Sequence, residues 1–259
     1  MSMQVIGRKG GKNSMGGRGS LSSKVHKMYN KESILAQMKE EGIEIRGLNN
    51  INNSNLSFVV ETLENVARLN KKYGKYIDSI SIGGNSSTIY QFIEDYKPYV
   101  KGKQVDMGRT LVISSNYLKK GREKTEREIR KKYNSNQYVA RTISQMVSHE
   151  FGNAVYSKFR KSKAYNYYTK EVDRILKNKN ANTYLSDYAR TKGKDGKVSY
   201  QTYFAEGFTH LDRGTKTRRG EDMLDTIKRS LKKDDFDFSK YTQSRNTKVR
   251  KLRPKRTRK

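Results

Sequence analysis

His149, Glu150 and Asn153 stand in the run VARTISQMVSHEFGNAVYSKF at the spacing of a metal-site helix. Residues four apart on a helix share a face. Two histidines so placed hold one zinc ion between their imidazoles, while a glutamate directly after the first activates the attacking water. This chain supplies the first imidazole, His149, and the glutamate, Glu150, and puts Asn153 where the second imidazole would stand. A neutral amide oxygen is a weaker zinc donor than imidazole, so the spacing predicts a site of reduced affinity. The chain has no cysteine, so any zinc must be held by His, Asp or Glu.

Such a site needs a further ligand from a second helix, and Tyr203-Phe204-Ala205-Glu206-Gly207-Phe208-Thr209-His210 reads as one. Phe204, Phe208 and Leu211 form its apolar face, and Glu206 lies among them, a costly place for a carboxylate without a partner. His210 follows Glu206 by four residues and shares its face. His149, Glu206 and His210 would make three protein ligands plus water, the open arrangement of a catalytic zinc centre; the competing reading has His210 merely flanking the apolar face. Between the two helices runs Leu185-Ser186-Asp187-Tyr188-Ala189-Arg190-Thr191, ahead of a Gly- and Lys-rich loop. A His-Glu pair alone is ordinary polar surface, and Tyr188 is one of 18 tyrosines. The weight therefore rests on the blocks taken together. His26, in a basic leader, has no such surroundings.

In that order, HEFGNAV, DYARTK and YFAEGF resemble the zincin metallopeptidases, of the type of the anthrax lethal factor catalytic domain. Similar domains are encoded by many bacteriophages, often on head or virion proteins. The likeness spans about residues 56–211, with its specific content in those three blocks. It implies His149 and Glu206 as zinc ligands, Glu150 as general base and Tyr188 as a hydrogen-bond donor to the transition state. Asn153 departs from the pattern at a ligand position.

Charge gives a second theme. The chain holds 56 Lys and Arg against 26 Asp and Glu, a formal charge of +30. A field of that size favours polyanions. Residues 240–259 carry ten of the cations and no acid, and residues 1–27 carry six and no acid. Like charges at such density oppose compaction, so 240–259 reads as a disordered arm and 1–27 as a flexible Gly- and Ser-rich leader. Arg250, Lys251, Arg253, Lys255, Arg256, Arg258 and Lys259 are the expected contacts to nucleic-acid phosphates, made without sequence choice. The leader lacks the apolar core of a secretory signal. No stretch approaches the roughly 20 apolar residues of a membrane span. The expected location is therefore the host cytoplasm or a virion.

Residues 28–239 are enough for one domain, with a lean, Tyr-rich core. Apolar periodicity predicts helices at 31–41, 56–73, 123–133, 137–161, 164–176 and 223–231, besides the Glu206 helix. Alternation predicts a strand at 77–82, closed by Gly83-Gly84, and Thr110-Leu111-Val112-Ile113-Ser114 reads as a second strand. The order of elements is that of a minimal zincin-like α+β domain. Two functional readings follow: a weakened zinc metallopeptidase acting on a protein substrate, or a non-catalytic virion or structural protein that keeps the fold as a scaffold. In both, basic tails hold nucleic acid.

Overall fold

A computed structural model describes residues 30–100, 102–213 and 220–235. The basic leader at 1–27 and the arm at 240–259, with all seven cations named there, lie outside the described residues.

The fold is α+β, a four-stranded mixed sheet with helices packed around it. Helix α1 (Lys31–Glu40) leads into β1 (Glu44–Arg46), and a short 3-10 turn leads into α2 (Asn53–Tyr73). Leu56, Phe58, Val59, Leu63, Val66 and Leu69 recur at helical spacing on α2, and all are buried. The helix stops at Gly74, whose φ of 101° lies in a region that side-chain-bearing residues avoid. Strands β2 (Ser79–Gly84), β3 (Tyr90–Ile93) and β6 (Thr110–Ser114) complete the main sheet, and β4 (Tyr99–Val100) pairs with β5 (Lys103–Gln104) in a separate hairpin. The sheet order is β1-β2-β6-β3. The first three strands are parallel, and β3 runs antiparallel at one edge. All five residues of β6 are buried, as a strand covered on both faces must be.

From β6 the chain enters α3 (Ser115–Lys120) and α4 (Arg122–Asn134), then α5 (Ile143–Phe159), α6 (Ala164–Lys177), α7 (Tyr200–Arg213) and α8 (Glu221–Lys233). Helix α5 starts later than its apolar pattern predicts. Thr142 caps it by accepting from Gln145 N at 3.2 Å, and residues 137–142 precede the helix, so Val139 belongs to the lead-in and not to the helical stripe.

Helices α5 and α7 pack closely, and Gly152 explains how. A Cβ there would come within 3.0 Å of the Ala205 Cα and the Phe208 Cβ. Glycine costs about 1 kcal/mol against alanine inside a helix. Here it lets two backbones approach three residues from His149, with Phe151, Phe204 and Phe208 fully buried around the contact.

Candidate functional site

The approach of α5 to α7 brings His149 and Glu206 together from two helices. His149 Nε2 and Glu206 Oε1 are 3.3 Å apart, the carboxylate side chain fully buried and the imidazole nearly so. Neither atom has a hydrogen-bond partner. The opposite ring nitrogen, Nδ1, is 3.3 Å from Glu150 Oε1. With a proton on Nδ1 donated to Glu150, Nε2 presents a lone pair to a carboxylate oxygen inside the core. Two facing lone pairs in a buried site repel, and only a proton or a cation between them relieves it.

The electrostatics carry the mark of that arrangement. Burial alone would lower the pKa of His149, but the hydrogen bond and charge of Glu150, with the charge of Glu206, raise it above the ordinary imidazole range. Burial raises the pKa of Glu206, opposed by the His149 ring and by hydrogen bonds from Ser186 and the Val139 amide. The Val139 N–H donates to Glu206 Oε2 at 2.9 Å, so one oxygen of this carboxylate is satisfied and the other is left for His149.

Glu150 is held by donors from two directions. The Phe92 N–H, on edge strand β3, reaches its Oε2 at 3.1 Å, and the Asn153 side-chain amide donates to the same oxygen at 3.0 Å. Asn153 Oδ1 in turn accepts from Gln201 Nε2 at 3.1 Å. The residue at the second-imidazole position is thus spent on orienting Glu150, and its oxygen is engaged by α7. Tyr188 stands at the mouth, its ring centre 6.0 Å from that of His149 and 5.0 Å, edge to face, from that of Tyr138. Burial, then the charges of Glu150 and Glu206, raise the Tyr188 pKa, which keeps its hydroxyl a donor. Backbone bonds from Asp187 N to Asn136 O and from Tyr188 N to Gln137 O tie this loop to the α4–α5 connection. Tyr117, Tyr138, Met146 and Tyr188 line a cleft of about 50 Å³ over His149 and Glu150, room for water.

His149, Glu150, Glu206 and Tyr188 therefore meet, and Asn153 joins them through Glu150. His210 is buried one turn beyond Glu206. Among the described residues, however, no group of three His, Asp or Glu side chains is placed to hold one metal ion, so His210 does not complete a trio with His149 and Glu206. No family model, curated protein or solved structure matches this chain. The site has to be judged on its geometry.

That geometry suits a cation with two protein ligands. Two ligands of a tetrahedral zinc ion, each at about 2.0–2.1 Å, stand about 3.3 Å apart, the separation of the orphaned His149 and Glu206 atoms. Four participants were beyond the reach of sequence reasoning: Ser186, the amides of Val139 and Phe92, and Gln201. Backbone amides carry no residue-type signal, and Gln201 lies 48 residues from the Asn153 it binds.

Proposed function

We propose that this protein is a zincin-like hydrolase of the phage-encoded type, a zinc metallopeptidase with a reduced ligand set, whose basic tails associate with nucleic acid. The observation that carries the reading is the pair of buried, unpartnered atoms, His149 Nε2 and Glu206 Oε1, aimed at each other across 3.3 Å. They would hold the zinc ion. Bound there, zinc would act as a Lewis acid on a substrate carbonyl.

The chain's own residues supply the rest. Glu150, fixed by Phe92 N–H and Asn153, is positioned as the base that takes a proton from water in the cleft. Tyr188, at the rim, donates to the oxygen on which charge develops. Edge strand β3 lies beside Glu150 and, through the Phe92 N–H, holds its carboxylate toward the cleft. The cleft is small enough to exclude bulk water.

Calorimetric zinc titration of the parent and of Glu206→Gln tests the reading, with peptide-library cleavage as the second readout. Zinc binding by the parent that is lost in the variant supports it. Absence of binding in both sinks it.

The engagement of Asn153 with Glu150 and Gln201 favours a second reading, in which the fold is kept as a scaffold in a virion and the tails bind nucleic acid. A parent that binds zinc without cleaving any peptide in the library points there.

A further inference from the structure

Helix α4 is a wall shared by two concavities. Its Glu128, Ile129 and Lys132 face the cleft over His149. On its other side, α2, α3 and α4 enclose a far larger groove of about 1650 Å³. The groove carries more cations than acids. Three of its cations are tied to carboxylates: Lys120 to Glu128 at 3.0 Å, Arg122 to Glu126 at 2.9 Å and to Glu61, and Arg130 to Glu126 at 3.9 Å. Lys119, Lys124, Arg127 and Arg141 also line it, are exposed, and form no ion pair among the described residues. Glu64 and Glu123 are the remaining acids of the lining.

Four unpaired cations along one concave surface focus a positive field outward. Asn52, Asn55 and Ser115 add neutral polar groups to the lining. No aromatic ring lines the groove among the described residues, which removes the stacking platform a single strand uses. Its apolar lining, Ile51, Val60, Ile82 and Leu118, is itself buried, so there is no socket for the anchoring side chains of a protein partner. Charges and neutral donors without base-stacking or apolar pockets are what backbone phosphates need.

We propose that the α2–α3–α4 groove binds the phosphate backbone of duplex nucleic acid without sequence choice, through Lys119, Lys124, Arg127 and Arg141. The proposal uses none of the residues of the basic arm and is independent of the hydrolase reading.

The test uses the full chain and a fluorescent 20-base-pair duplex, titrated across a salt series. Changing Lys119, Lys124, Arg127 and Arg141 together to Gln should lower affinity at least tenfold at 0.1 M salt. It should also make the slope of log K against log salt less negative by about 3.6, at about 0.9 per lost phosphate contact. A control with the same charge change on the exposed Lys170, Lys177, Lys179 and Lys194 should move both quantities far less. Circular dichroism confirms that both variants are folded. Equal effects of the two variants would reduce the result to net charge and overturn the site, as would no effect of the first. Tighter binding of a single strand, or full competition by polyglutamate at equal charge, would overturn the choice of duplex and give the groove to another polyanion.

Discussion

Two carboxylates on α7, six residues apart, have fully buried side chains, yet their surroundings are opposite. Asp212 is saturated. It accepts from Arg68 at 3.0 and 2.7 Å, Lys72 at 3.1 Å, the Tyr73 hydroxyl at 3.0 Å and the Ser148 hydroxyl at 2.8 Å. Burial pushes its pKa up, but the Arg68 guanidinium and the charge of Lys72 more than reverse this and hold it well below the ordinary range. Glu206 has no Lys or Arg beside it, only the His149 ring, and it keeps one oxygen without a hydrogen-bond partner and a pKa raised by burial. The first arrangement fastens α7 to α2 and α5. The second stores an unmet electrostatic demand at the point where a ligand would enter. One helix thus carries its own fastening and its own candidate chemistry, and the contrast in satisfaction separates them more sharply than burial does.

The largest expected effect breaks the saturated end. Asp212→Ala leaves Arg68 and Lys72 facing a void and should destabilise the protein by about 3–5 kcal/mol in urea unfolding. Should the loss stay under about 1 kcal/mol, Asp212 would not be the fastening. The pH dependence follows from the depressed pKa. Asp212 contributes stability that is fully present above its unfolded value of about 3.9 and is lost as pH falls through the folded value, so the parent loses stability on acidification and Asp212→Asn should show a flatter acid limb.

Gly152→Val is next. A side chain forced against the Ala205 Cα should cost about 1–3 kcal/mol and push His149 away from Glu206. Denaturation together with zinc titration checks it, and a variant as stable as the parent would show that the α5–α7 approach does not depend on the missing Cβ.

Asn153→His should raise zinc affinity by about tenfold or more by adding an imidazole at the spacing a helix favours. Part of the gain is lost because Glu150 gives up an amide donor. Calorimetry reading equal affinities would show that position 153 does not point at the metal.

The smallest effect is on the unmet end. In metal-free protein at neutral pH, Glu206→Gln should stabilise by about 1 kcal/mol, since it removes a buried charge with an unpartnered oxygen. Because the folded pKa of Glu206 is raised, its ionisation costs stability as pH climbs from about 4.3 toward that value. The gain should therefore vanish near pH 4, and a gain independent of pH would place the cause elsewhere.

The two ends of α7 were unequally legible. His149, Glu150 and Glu206 announced themselves, since a carboxylate among Phe204 and Phe208 is conspicuous in a sequence. Asp212 did not, because an acid in the last turn of an amphipathic helix reads as solvated, and its partners Arg68, Lys72 and Tyr73 lie about 140 residues upstream. Among the elements, β6 matched its expected bounds residue for residue and the long helices matched within a few residues. Strands β1 and β3, of three and four residues, were missed, being too short for a period of two to register. The lead-in to α5 was misread as helix because Val139 and Ile143 are four apart, and only the Thr142 cap separates them.

The bond from the Phe92 amide to Glu150 has a consequence for self-association. An edge strand with free N–H and C=O groups is a template on which a second chain can add. Here a carboxylate lies across the outward amide of β3, satisfies it and sets a negative charge at the rim of the sheet. Glu150 therefore guards the strand as well as facing the cleft. Glu150→Ala uncovers that donor, and the altered protein should form concentration-dependent aggregates that the parent does not.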